Sequence, residues 1–211
     1  MKADITHSLA VRWTSRLNRR VNKEGTDLQK MILGVEILLH TIPKLVLVVV
    51  SALILGILPQ VLATWIPFEI LRKYVRGLHA GSNFSCTIVS LVAFVAVPYA
   101  VQNIEVHVGI LLLTYVLVGI GVYKYAPADT AARPVIGEKQ RGMLKKKALG
   151  VTIIIPVLTV ILLDNTWYIL VAIGAALALV FILPVTYRVM GRTINNYERY
   201  ERQLTEGSNN L

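Results

Sequence analysis

The sequence predicts an all-α, polytopic membrane protein, and three observations carry that expectation. Of its 211 residues, 55% are hydrophobic. They gather in long blocks, as a chain dissolved in lipid requires. The net charge of +10 is confined between the blocks: lysine and arginine occur at 2–30, 72–76, 124–147 and 188–202, with Lys44 alone elsewhere.

Residues 3–23 predict an N-terminal amphipathic interfacial helix. Ile5, Leu9, Trp13 and Leu17 recur at four-residue steps, and Arg12, Arg16, Arg19, Arg20 and Lys23 take the other side. Such a helix lies on an anionic leaflet. The segment lacks the unbroken apolar core and small-residue cleavage site of a signal peptide.

Six transmembrane helices are expected at about 31–58, 60–75, 84–101, 105–123, 148–163 and 166–187. The block at 148–163 is short and needs Lys146 and Lys147 to reach the interface by snorkelling. A single span over 45–71 would change the parity and put Arg72, Lys73 and Arg76 outside. With six spans every basic segment shares one face, which the positive-inside rule makes cytoplasmic. Both termini are then cytoplasmic, and residues 197–211 read as a mobile polar tail.

Cys86 is the only cysteine. A lone thiol forms neither an intrachain disulfide nor a multi-cysteine metal site. His79 precedes it by seven residues, which on an unbroken helix is a rise of ~10 Å, too far for a hydrogen bond. Gly81 permits a turn, and Ser82 or Asn83 suits the N-cap of the span that follows. His79 can then fold back over the first helical turn, where Cys86 lies. A helix N-terminus and an imidazolium both favour thiolate, and free N–H groups of that turn can hold an oxyanion. A packing cysteine beside a solvated histidine has the same spacing.

Arg72, Gly77-Leu78-His79-Ala80 and Cys86, followed by Lys124-Tyr125-Ala126-Pro127-Ala128-Asp129-Thr130-Ala131-Ala132-Arg133-Pro134-Val135, resemble the accessory gene regulator B (AgrB) family. These are membrane cysteine endopeptidases of Gram-positive bacteria that process quorum-sensing pro-peptides. The resemblance covers nearly the whole chain. It implies catalytic Cys86 and His79, and a short pro-peptide substrate with an amphipathic leader and an acidic C-terminal tail. It also implies a thioester acyl-enzyme, release as a thiolactone or lactone, a homodimer, and a multi-pass protein of the cell membrane working near its cytoplasmic face. The family pattern has Gly-Gly where this chain has Arg76-Gly77, so Arg76 is expected to alter loop geometry or substrate preference. Asp129 could orient His79 or cap a turn after Pro127.

Arg72, Lys73, Arg76 and Arg133 are candidates to bind the acidic tail, with Gly77, Gly81 and Ser82 shaping the site; the same cations suit topology and anionic lipid. No metal, organic cofactor or nucleic-acid partner is expected. Only Asp129 and Glu138 occupy the large cytoplasmic loop, too few acids for a metal-dependent lipid-modifying enzyme. An alternative function starts from Glu36, His40 and Lys44, which share one helix face inside the first span. Ionisable groups at membrane depth pair or line a pathway, so this polar seam would serve a non-catalytic transporter or peptide-export component. Pro43, Pro98, Pro156 and Pro184 are expected to interrupt spans, and Gly119, Gly121 and Gly174 to allow close helix contacts.

Overall fold

The computed structural model describes residues 5–78, 83–130, 134–162, 165–194 and 196–208, and every regular element among them is helical. Two compact units divide at residue 54.

In the first unit, α1 (Ile5–Val21) packs along α2 (Gly25–Ile54). α1 stops where Asn22 turns left-handed at φ 50°. Asn18 clasps both polar groups of Lys23, accepting from its N–H at 2.8 Å and donating to its carbonyl at 2.9 Å. Ala10 and Thr14 are buried, while Leu9, Trp13, Leu17 and Val21 stay exposed as an apolar stripe. α2 runs unbroken through Pro43. Glu36 on α2 lies 3.5 Å from His7 on α1.

The second unit begins with α3 (Leu58–Val75), which follows a left-handed Gly56 and carries a proline in its first turn. The helix boundary between the first two expected spans falls at residues 55–57, so 45–71 is not one continuous helix. α4 (Asn83–Leu91) passes through a π-helical turn (Val92–Ala96) into α5 (Val97–Val101). Pro98 has no N–H to donate and its ring crowds the preceding turn. The turn widens instead, with the Val97 N–H reaching back to the Val92 carbonyl. At its far end Gln102 accepts from the Gln60 amide at 3.0 Å. α6 (Val108–Tyr125) starts at His107, whose Nδ1 accepts from the Gly109 N–H at 3.1 Å.

α7 (Glu138–Leu162) is 25 residues long. The apolar run expected as a short span at 148–163 is the later part of this helix, which starts inside the basic segment and carries Lys139, Arg141 and Lys145–Lys147 on its first turns. α8 (Asn165–Val180) is followed by a turn and by α9 (Pro184–Val189). The expected span at 166–187 is therefore two helices, broken where Pro184 can only begin a new one. The expected tail is also corrected: α10 (Asn196–Ser208) is helical and bonded to the rest of its unit.

Small residues set the closest approaches. A Cβ on Gly174 of α8 would sit 2.1 Å from the Thr64 carbonyl of α3, and one on Gly121 of α6 would strike Leu179. Gly119 meets nothing within 4 Å. Phe68 stacks edge-on against Phe94 at 4.9 Å and Phe181 at 5.8 Å, joining α3 to the π turn and the end of α8. Gly25–Ile54, Phe84–Val101 and Val108–Tyr125 are long and apolar enough to cross a bilayer. Leucine and isoleucine on α2, α6 and α7 face outward. This is a membrane protein.

Candidate functional site

The end of α3 sets the geometry. Its last turn carries Arg72 and Lys73, and the chain leaves through Arg76 at φ 61°, ψ −132° and Gly77 at φ 107°. Gly77 is required twice over: by that φ, and because a Cβ would lie 2.8 Å from both the Phe181 carbonyl and Ile182. Arg76 occupies a backbone region in which only glycine is at ease.

This turn is then pinned on three sides. The Gly77 N–H donates to the Ala128 carbonyl at 3.2 Å, and the Ala128 N–H to the Val75 carbonyl at 2.9 Å, forming a parallel bridge between Arg76 and Ala128. The Leu78 N–H donates to the Phe181 carbonyl at 3.1 Å. From α3 the Arg72 guanidinium reaches the carbonyls of Leu78 and Arg76. The same guanidinium lies 4.8 Å from the Phe181 ring centre and 5.6 Å from that of Phe68. Arg72 thus holds the backbone that leads into His79.

Around the turn lies an open cavity of about 390 Å³, lined by Glu69, Arg72, Lys73, Arg76, Gly77, Ala128, Asp129 and Thr130. Glu69 accepts from the Trp65 indole at 3.1 Å. Four expected site residues, Arg72, Lys73, Arg76 and Gly77, therefore share one cavity with Asp129. His79, Gly81, Ser82 and Arg133 lie outside the described residues.

Cys86 is half-buried in the first turn of α4, within electrostatic range of Arg72. Its carbonyl accepts from the Ser90 hydroxyl at 2.8 Å, one turn on. No cluster of three metal-ligating side chains occurs among the described residues.

Asp129 caps a helix far away in sequence rather than a turn after Pro127. It is 3% exposed. One carboxylate oxygen accepts the Asn196 N–H at 2.9 Å and the other the Tyr197 N–H at 2.7 Å, closing the open N-terminus of α10. Its carbonyl accepts from the hydroxyl of fully buried Tyr187 at 2.9 Å. Further along α10, Glu201 accepts from Arg141 at 2.5 Å and from the Gly137 N–H at 2.9 Å, while the Arg141 guanidinium lies 4.1 Å from the Tyr197 ring centre. The Arg141 bond, and then the Gly137 N–H, hold the Glu201 carboxyl below the usual glutamate range. That bond also raises Arg141 above its ordinary value.

Sequence reasoning missed this clamp and the part played by Tyr187. A signal was available in Asn195-Asn196-Tyr197-Glu198, a capping residue followed by an acidic first turn.

The sequence profile of the family described as Accessory gene regulator B matches residues 10–183. An AgrB-like protein of Clostridium acetobutylicum is 31% identical over 205 residues, 97% of this chain and 98% of that one. An AgrB-like protein of Listeria monocytogenes is 36% identical over 82% of this chain and 84% of its own. Accessory gene regulator protein B of Staphylococcus aureus is 30% identical over 81% of this chain and 90% of its own. No solved structure matches.

Proposed function

This chain belongs to the accessory gene regulator B family, a family of quorum sensing, and from that premise we propose that it is a cysteine endopeptidase of the cell membrane. Its substrate is a short pro-peptide with an amphipathic leader and an acidic C-terminal tail. With six spans every basic segment faces the cytoplasm, where the leader lies on the leaflet and presents its cleavage site to Cys86.

The Cys86 sulfur attacks the carbonyl upstream of the tail while His79 takes the thiol proton. The tetrahedral intermediate collapses, the C–N bond breaks, and His79 returns the proton to the leaving amine. A thioester to Cys86 remains. A thiol inside the peptide attacks it, closing a thiolactone and releasing the Cys86 sulfur, which regains its proton. The bond type is conserved in this second step, so its difficulty is the exclusion of water.

The observation that carries the reading is the position of the sole cysteine. Cys86 lies in the first turn of a membrane-length helix, a few residues after the turn whose backbone Arg72 grips. Lys73 and Arg76, both exposed at the cavity, suit an anionic tail.

Co-expression with the candidate pro-peptide, followed by mass spectrometry of both fragments, tests it. Wild type yields the free tail and the ring; Cys86→Ala and His79→Ala, inserted at wild-type level, yield neither. Unchanged processing by Cys86→Ala overturns the reading.

A further inference from the structure

We propose that Asp129 is the positioning residue of this site and that α10 is the clamp through which it acts. The inference rests on the peptidase reading and names a group outside the Cys–His pair.

Asp129 ties the start of α10 to the chain beside the turn after α3. Its carboxylate spans the N-terminus of α10, and its carbonyl is held by Tyr187. Ala128, one residue earlier, exchanges backbone hydrogen bonds with Val75 and Gly77 on either side of Arg76. Gly77 and Leu78 lead directly into His79. An unbroken path of hydrogen bonds and peptide units therefore runs from the first turn of α10 to the residue before the histidine.

The far end of the segment is tied by the same helix. Glu201 takes the Gly137 N–H and Arg141, just as α7 begins. α10 thus grips the chain on both sides of residues 131–133, at Asp129 and at Gly137.

Burial makes the first grip specific. A carboxylate at 3% exposure is costly unless its oxygens are satisfied, and here both oxygens are bonded to N–H donors of α10. Removing α10 takes both N–H donors, and the cover that comes with them, from a carboxylate one residue from the Ala128 bridge. The segment at Asp129 is then free to shift towards water, and the turn before His79 shifts with it. A misplacement of about 1 Å can cost ~100-fold in rate.

The test uses full-length protein in membranes, with Asp129→Asn, a chain ending at Thr193, and the milder Glu201→Gln. Two readouts are taken per inserted molecule: pro-peptide turnover, and the rate of Cys86 alkylation by a maleimide against pH. His79→Ala defines the part of that profile owed to the histidine.

The expected result is at least a ten-fold fall in turnover at saturating peptide for Asp129→Asn and the shortened chain. KM changes less than two-fold, and the His79-dependent part of the alkylation profile is lost. Glu201→Gln falls in the same direction by a smaller factor and stays well inserted, which keeps the test decisive if the stronger variants do not fold. Wild-type turnover and profile in all inserted variants overturn the proposal. A wild type with no turnover and no His79-dependent alkylation instead overturns the peptidase reading beneath it.

Discussion

Arg141 and Glu201 meet at 2.5 Å across sixty residues of sequence. The contact ties the start of α7 to the middle of α10. Because the Glu201 carboxyl is held below its ordinary range, its folded value is depressed, and the contact is complete above the unfolded value. It is lost as pH falls through the folded one, while Arg141 stays charged throughout. Hydrogen exchange at the Gly137 amide, taken relative to the intrinsic rate at each pH, should therefore be slow at neutral pH and quicken only on acidification below the usual glutamate range. Glu201→Gln should quicken it at neutral pH.

The turn after α3 carries strain at Arg76. Arg76→Gly removes a side chain from φ 61°, ψ −132° and should stabilise the protein by about 1 kcal/mol. Gly77→Ala meets both an unfavourable φ and two contacts at 2.8 Å, and should cost about 2–3 kcal/mol. Thermal unfolding in detergent distinguishes a rise for the first from a fall for the second.

Two glycines expected to serve helix contacts should respond oppositely. Gly174→Ala drives a methyl against the Thr64 carbonyl and should destabilise by about 1–3 kcal/mol. Gly119→Ala has open space and should be neutral or stabilising by up to about 1 kcal/mol. Equal melting temperatures would contradict the α3–α8 contact described above.

Glu36 separates the two functional readings. Its proximity to His7 suits a local structural role, so Glu36→Gln should keep pro-peptide processing within about three-fold of wild type, the scale of one weak exposed contact. A transporter built on the Glu36, His40 and Lys44 seam would instead lose export with Glu36→Gln and keep it with Cys86→Ala.

Helices were legible because hydrophobic blocks report directly on lipid. α1, the break near Gly56 and the place of Cys86 in a first turn all followed from local pattern. Helix ends were less legible wherever charge and helix coexist. Lys139 to Lys147 read as loop, yet the apolar residues that follow pull them into α7. The tail read as unstructured because Tyr197, Glu198 and Glu201 are polar. Their helix is stabilised by Asp129 and Arg141, partners that no local window contains. Arg72 was legible as a cation near the site but not as a clamp, since its acceptors are backbone carbonyls.

The wide turn at Val92–Ala96 turns residue count into direction. One extra residue in a helical turn rotates everything beyond it by about 100°. Cys86 lies on one side of that turn and the Gln60–Gln102 bond on the other. Where the sulfur points is thus governed by arithmetic along the chain. Deleting a single residue between Val92 and Ala96 would give a more regular helix while rotating the turn that carries Cys86 by about 100° relative to the helix beyond it.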